Sequence, residues 1–110
     1  MTREFIYTAS FRKSWAALGL SEDDLEELEN ILLKDPHTGD VIKGTGGARK
    51  MRITLRTHGK SGGARVIYID IFEKERIYML LSYPKSVQSD MTEDQKKAIR
   101  AIIEQIKKEW

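Results

Sequence analysis

The chain has 110 residues, a length that fits one compact domain, residues 1–110, and leaves no room for a second. It contains no cysteine, which excludes disulfides and cysteine-based zinc sites. The net charge is only +2, and no apolar run approaches the roughly 20 residues of a membrane-spanning helix. The first ten residues lack the apolar stretch of a signal peptide. We therefore expect a soluble cytoplasmic protein.

The N-terminal third predicts a strand followed by a helical hairpin. Arg3 to Tyr7 is rich in β-forming side chains. Thr8 or Ser10 can cap a first helix that ends at Gly19, and its apolar face comprises Phe11, Trp15 and Leu18. Ser21 to Asp24 resembles a capping box, and Asp35-Pro36 stops the second helix. The buried stripe of that helix is Leu25, Leu28, Ile31 and Leu32.

The remainder predicts three strands and a final helix. His37 to Gly47 is interpreted as a loop in which Val41-Ile42 is an apolar anchor. The strands are Arg49–Leu55, Ala64–Phe72 and Arg76–Tyr83, and their short connections favour an antiparallel meander. A helix can start at Thr92, with an apolar face formed by Ile99, Ile102, Ile103, Ile106 and Trp110. The fold class is therefore α+β, with the order β-α-α-β-β-β-α.

Basic residues are concentrated in one part of the chain. From Val41 to Ile69 there are seven basic residues and no acidic one, namely Lys43, Arg49, Lys50, Arg52, Arg56, Lys60 and Arg65. The rest of the chain holds the other 12 Lys/Arg and all 17 Asp/Glu, a net charge of −5. Such asymmetry favours a polyanionic partner, whereas a merely solvated basic face is the plain alternative.

Several familiar sites are missing from the sequence. Gly59-Lys60-Ser61 imitates the end of a nucleotide-binding P-loop, but Thr54 stands where the first glycine is required. The two histidines, His37 and His58, are isolated, and no His/Asp/Glu cluster has metal-ligand spacing. We expect neither a metal nor a cofactor, and we interpret His58 as a solvated loop residue more readily than as an acid or base.

The pattern that remains suits a phosphodiester. Lys50 and Arg52 share one side of a predicted strand, Arg65 opens the neighbouring strand, and Lys85 follows the last one. Arginine binds phosphate oxygens in bidentate fashion, and crowded cations make a lysine such as Lys50 a candidate general base. Tyr83 is open to two interpretations, either a group that stacks on a base or donates a proton, or a core aromatic at a strand end.

Three pairs of segments together resemble a known family. They are Gly44–Arg52 with Gly62–Tyr68, Leu81–Lys85 with Ser89–Thr92, and Asp35-Pro36 with Gly39–Ile42. The chain is similar over nearly its whole length to the HigB-like branch of the RelE/ParE toxin superfamily. That resemblance implies a small antiparallel sheet with helices packed on one side. It also implies a type II toxin that enters the ribosomal A site and cuts mRNA by metal-independent 2′-hydroxyl attack.

The resemblance also implies roles for individual residues. Lys50, Arg52 and Arg65 match the family's basic residues, and Lys85, or equally Ser86, matches the one after the last strand. The family's C-terminal tyrosine falls on Thr92 and is absent, so Tyr83 is only a candidate substitute. The predicted catalytic set is Lys50, Arg52, Arg65, Tyr83 and Lys85, and the predicted mRNA- and ribosomal-RNA-binding set is Lys43, Arg49, Arg56 and Lys60.

The implied partner is a helix-turn-helix antitoxin of the HigA type, and no membrane is implied. Two other functions stay open at this stage. One is a catalytically silent RNA- or ribosome-binding domain with the same fold. The other is a protein-interaction module whose basic face meets only an acidic partner.

Overall fold

The computed structural model describes residues 2–54, 63–88 and 90–109. The predicted order β-α-α-β-β-β-α is confirmed, with one short strand, β2, added before the meander. A 3-10 turn, Phe72–Lys74, joins the last two strands. The elements are β1 Glu4–Tyr7, α1 Ala9–Ala17, α2 Glu22–Lys34, β2 Asp40–Val41, β3 Arg49–Thr54, β4 Gly63–Ile71, β5 Arg76–Pro84 and α3 Glu93–Lys108.

Some predicted features lie outside the described residues. They are Leu55, the loop residues Arg56, His58, Gly59, Lys60, Ser61 and Gly62, and the two positions Ser89 and Trp110.

The five strands form one mixed sheet in the order β1-β5-β4-β3-β2. Strands β3, β4 and β5 pair antiparallel, which confirms the meander. Strand β1, however, pairs parallel with β5, from Glu4 opposite Arg76 to Tyr7 opposite Met79. The expectation of a wholly antiparallel sheet was therefore wrong. A parallel pair requires a long crossover, here supplied by the chain between β1 and β5, and strand patterning alone does not encode pairing direction.

Helices cover both faces of the sheet. Consecutive side chains of β4 point to opposite faces, so this strand contributes to a core on each side. Val66 and Tyr68 pack in a core with α1 and α2, whereas Ile67 and Ile69 pack in a second core with α3. The implied arrangement with helices on one side was therefore wrong. A central strand that is apolar towards both faces, as β4 is from Val66 to Ile69, is typical of a sheet with helices on both faces.

The helix starts agree with the sequence. Thr8 caps α1, and reciprocal capping boxes begin α2 and α3, formed by Ser21 with Asp24 and by Thr92 with Gln95. Among the described helices, none has the length and apolar character required to cross a bilayer.

Tyr68 ties the segment after α2 to the sheet. Its buried hydroxyl donates to the Pro36 carbonyl at 2.8 Å and accepts the Gly39 N–H at 3.0 Å. Arg49 adds a hydrogen bond to the Gly39 carbonyl at 2.8 Å. A Cβ at Gly39 would lie 2.7 Å from the Lys50 carbonyl oxygen, so only glycine permits this approach of the backbones.

The glycine-rich turn after β2 packs against α3. Thr45 is fully buried and its hydroxyl donates to the Ile42 carbonyl at 2.7 Å, while the Lys107 ammonium donates to the Gly46 carbonyl. Ile42 is buried, as predicted for an apolar anchor, but Val41 is 57% exposed. The pairing of β2 with β3 turns successive side chains to opposite sides, so only one of the two can enter the core.

We predict that Tyr68→Phe lowers the free energy of unfolding by about 2 kcal/mol, because it leaves the Pro36 carbonyl and the Gly39 N–H unpaired in a buried site. Urea denaturation measures the loss. Tyr78→Phe is the matched control, since its hydroxyl accepts one long bond among the described residues, from Arg76 at 3.5 Å, and its effect should stay within about 0.5 kcal/mol. Equal effects of the two variants would contradict the role given to Tyr68.

Candidate functional site

The register of the meander aligns three of the predicted site residues in one row across the sheet. Arg52 on β3 lies directly opposite Arg65 on β4, which in turn lies opposite Tyr83 on β5. Lys50 precedes Arg52 by two positions and so shares its face of the sheet. This is the face that α3 covers further along, where Ile67 and Ile69 lie. The cationic end of the face is therefore left beside the start of α3.

The three cations line one cleft with a volume of about 480 Å³. Its other lining residues are Thr38 and Asp40, from the segment that Tyr68 and Arg49 hold, and Met51. Since Asp40 pairs with Lys50 between β2 and β3, a carboxylate belongs to the wall of this basic cleft. We refer to this surface as the cationic cleft.

Arg52 and Arg65 are two like charges at directly opposed positions of an antiparallel pair, an arrangement that destabilises a sheet. Within the described part of the chain, neither guanidinium has an ion pair, and the Arg65 Nε atom is buried without a hydrogen-bond partner. An unpaired guanidinium edge is suited to receive the oxygens of an anion. The arrangement therefore indicates a site for a phosphate or another anionic group.

Lys50 has a carboxylate beside it that the sequence did not suggest. Its ammonium nitrogen lies 3.6 Å from Asp90 Oδ1, at the start of the segment that leads into α3. The pKa of Asp90 is lowered, first because its carboxylate accepts the Met91 backbone N–H at 2.8 Å. Desolvation opposes this change, and the charges of Lys50 and Lys96 add to it. Asp90 is therefore ionised at neutral pH.

Tyr83 is a core residue in this structure. Only 5% of it is exposed, and its ring packs in the α3 core with Met91. Burial raises the pKa of Tyr83, Asp90 raises it further, and Arg65 opposes the change. Its hydroxyl has no hydrogen-bond partner among the described residues. Of the two interpretations left open by the sequence, the strand-end core aromatic fits the structure, and a ring so buried is not available to stack on a base.

Lys43, Arg49 and Lys85 are predicted site residues that do not line the cationic cleft. Lys85 is exposed after β5, where its backbone N–H donates to the Gly63 carbonyl at 2.9 Å. Lys43 is exposed on the glycine-rich turn. Arg49 lies on the opposite face from Lys50 and donates to the loop after α2, so its guanidinium holds structure in place. Arg56 and Lys60 lie outside the described residues.

Sequence reasoning missed Thr38, Asp40 and Asp90. The basic segment without acidic residues starts at Val41 and so excludes Asp40 by one position. The strand pairing that places Asp40 beside Lys50 involves only two residues of β2, which are too few to form a recognisable sequence pattern. Asp90 belongs to the segment Ser89–Thr92 that resembles the family, and the sequence assigns it no role of its own. Its closeness to Lys50 depends on where α3 crosses the sheet, which periodicity does not specify.

No metal centre is found among the described residues, since no group of three or more His, Cys, Asp or Glu side chains converges there. His37 is 66% exposed, and its Nε2 atom lies 3.7 Å from Asp70, which is itself bound by Arg3 at 2.7 Å. No described histidine therefore lines the cationic cleft.

Comparisons with known proteins agree with the fold described above. Residues 6–109 match the family model described as the RelE toxin of the RelE/RelB toxin–antitoxin system. A free double arginine-to-alanine mutant of the E. coli toxin RelE superimposes with a TM-score of 0.57 at 17% identity, covering 81% of this chain and 90% of that one. RelE in the intact E. coli RelBE toxin–antitoxin complex gives 0.51 at 18% identity, covering 74% and 94%. At such identities the two structures establish the fold alone.

We predict that Tyr83→Phe raises the free energy of unfolding by about 1 kcal/mol, because it removes a buried hydroxyl that has no partner among the described residues. The effect has the opposite sign to that of Tyr68→Phe, although both variants delete one oxygen.

The raised pKa of Tyr83 means that the folded state holds the proton more tightly than the unfolded chain. That stabilisation is present below about pH 10 and is lost as pH rises through the folded pKa. Urea denaturation at neutral pH tests the stability of Tyr83→Phe, and denaturation of the wild-type protein at alkaline pH tests the pH dependence. A Tyr83→Phe variant less stable than the wild type would contradict the stability prediction.

We predict that Arg52→Gln stabilises the free protein by about 0.5 kcal/mol at low salt, because it removes the like-charge pair with Arg65. The gain should shrink at high salt, where the repulsion is screened. Urea denaturation at two salt concentrations measures it. The matched control is Lys43→Gln, an exposed cation outside the cationic cleft. A loss of stability in Arg52→Gln at low salt would contradict this prediction.

Proposed function

This chain belongs to the RelE toxin family of RelE/RelB toxin–antitoxin systems, and from that premise we propose that it is an mRNA endonuclease that acts on the ribosome. One observation carries the proposal. Lys50, Arg52 and Arg65, chosen from the sequence because they match the family's basic residues, line a single cleft. Ribosome-dependent mRNA cleavage is the activity that the family resemblance implies, and a cluster of cations suits a scissile phosphate.

The chemistry needs no group beyond the RNA and the protein. The 2′-oxygen attacks the adjacent phosphorus, the bond from phosphorus to the 5′-oxygen breaks, and the products are a 2′,3′-cyclic phosphate and a 5′-hydroxyl. Negative charge accumulates on the non-bridging oxygens in the transition state. Arg65 is suited to meet that charge, since it lines the cationic cleft and its guanidinium has no ion pair among the described residues. Preorganised donors of this kind stabilise a transition state without reorganisation.

Two proton transfers complete the reaction. Lys50 was the candidate base, but its ammonium is paired with Asp90, and a paired ammonium serves better as a donor to phosphate oxygens. Asp40, a carboxylate in the wall of the cationic cleft, is a second group able to accept the 2′ proton. Tyr83 is too buried to supply the leaving group with a proton in this conformation. We assign phosphate binding to Lys50, Arg52 and Arg65, and we propose Lys85 as a more distant contact with the RNA.

The proposed partners follow from the family. The E. coli toxin has been solved in complex with its antitoxin RelB, and we propose that a cognate antitoxin neutralises this chain as well. We propose on the sequence motifs alone that the chain belongs to the HigB branch. Its antitoxin would then be a helix-turn-helix protein of the HigA type. We further propose that the protein acts in the cytoplasm, on mRNA in the ribosomal A site, where Lys43 and the loop cations Arg56 and Lys60 contact ribosomal or messenger RNA.

A second candidate function is supported by a specific observation. Within the described residues, the cationic cleft has no exposed tyrosine or histidine to serve as a general acid. A domain that binds RNA or the ribosome without cutting would also need the three cations but would not need proton transfer. The two candidates differ in what the loss of one cation does.

We predict that Lys50→Ala and Arg65→Gln each lower the single-turnover rate of mRNA cleavage on translating ribosomes by at least about 100-fold, because each removes a preorganised cation from the transition state. Mapping of mRNA ends over time measures the rate. Lys13→Ala, an exposed lysine on α1, is the matched control and should cleave normally.

Two results would contradict the endonuclease proposal. If the wild-type protein leaves mRNA intact on translating ribosomes, and its induced expression does not slow bacterial growth, the chain is not this enzyme. If instead Lys50→Ala only weakens ribosome binding, with a salt slope lower by about one, the cationic cleft serves binding alone. Circular dichroism confirms that each variant is folded before the rates are compared.

A further inference from the structure

Asp90 is the charged neighbour of Lys50 that no sequence pattern assigned, and its carboxylate is held in a fixed place. The Oδ1 atom accepts the Met91 N–H at 2.8 Å, and the Asp90 carbonyl accepts the Gln88 side-chain amide at 2.9 Å. Gln88 also bonds to Gln95 at 2.8 Å, within the capping box of α3. Met91 is buried in the α3 core. The segment is therefore anchored on both sides of the carboxylate.

Lys50 depends on such a partner more than the two arginines do. Its ammonium sits at the end of a flexible four-carbon chain, and it is a point charge without the planar fork that orients arginine. The side chain is 29% exposed, so packing alone leaves its end free to move. Among the described carboxylates, Asp90 is the one within 4 Å of the Lys50 ammonium.

The position of Asp90 indicates how it acts. It is not among the residues that line the cationic cleft, whereas Lys50 is. A carboxylate that contacts the lysine without lining the cleft does not occupy the place of a phosphate, but it can restrict the ammonium to the rim of the cleft. Its effect on an RNA phosphate is therefore exerted through Lys50.

We propose that Asp90 is a positioning residue, whose carboxylate holds the Lys50 ammonium at the rim of the cationic cleft in the orientation that the reacting phosphate requires. The proposal deepens the proposed endonuclease function and rests on it for its consequence. The contact itself does not rest on that function. The link also joins the start of α3 to β3, so that the helix and the sheet together determine the geometry of the cleft.

Asp90→Asn is the sharpest variant, because asparagine keeps an oxygen able to accept the Met91 N–H and loses only the charge. Asp94→Asn is the matched control, since Asp94 lies exposed in the first turn of α3 and the substitution changes the net charge equally. We expect the side-chain ammonium resonance of Lys50, assigned by its loss in Lys50→Ala, to shift in Asp90→Asn and to stay in place in Asp94→Asn. An unchanged resonance in Asp90→Asn would overturn the proposal, whether or not the protein cuts RNA.

A double-mutant cycle tests the consequence for cleavage. We expect Asp90→Asn to lower the single-turnover rate about 10- to 100-fold at saturating ribosome concentration, as for a misplaced catalytic group. In a Lys50→Ala background the same substitution should change the residual rate less than about twofold, because its target is gone. A full effect of Asp90→Asn in that background would show that Asp90 acts independently of Lys50 and would overturn the proposal. If the wild-type protein does not cleave at all, the proposed function fails, and the resonance experiment alone decides whether Asp90 holds Lys50.

Discussion

The structure depends on the position of strand β4 between β3 and β5. Its side chains serve two apolar cores, because Val66 and Tyr68 face α1 and α2 while Ile67 and Ile69 face α3. Only near its start does β4 carry a charge towards the α3 side, at Arg65. The register on both sides then aligns Arg65 with Arg52 and with Tyr83. A shift of one residue in either pairing would move every side chain to the other face, so the two cores and the cationic cleft are specified by the same hydrogen bonds.

The sequence predicts the elements of this fold because the elements are local. Caps at Ser21 and Thr92, apolar spacing in the helices and alternation along β3 are all determined by neighbouring residues. The pairing direction of β1 and the existence of β2 are not local. Strand β2 has only two residues, Asp40 and Val41, which is too short for any period to appear. The second face of the sheet was misjudged for the same reason, since α3 is amphipathic wherever it packs.

The candidate site divides along the same line. Lys50 and Arg52 could be assigned to one face because alternation on a strand is local, and Arg65 followed from a hairpin whose register proved suitable. Arg49 is equally basic, yet it faces the other way and binds the loop after α2. Charge counting treats the two neighbours as equal, whereas the pleat separates them. The sequence could not distinguish the two interpretations of Tyr83, because an aromatic residue at a strand end has the same local pattern whether it contacts a ligand or packs in a core.

Gly39 does not line the cationic cleft, but it lies against the backbone of Lys50, which does. It has no side chain, and a single methyl group there would press on the backbone of Lys50 and on the ring of Tyr68. The pairing of Asp40 with Lys50, two residues that line the cleft, therefore requires that position 39 carry no side chain. Selection for an undistorted cleft would therefore act on position 39 as well as on the residues that line the cleft. A search for functional positions based on chemically reactive side chains would pass over it.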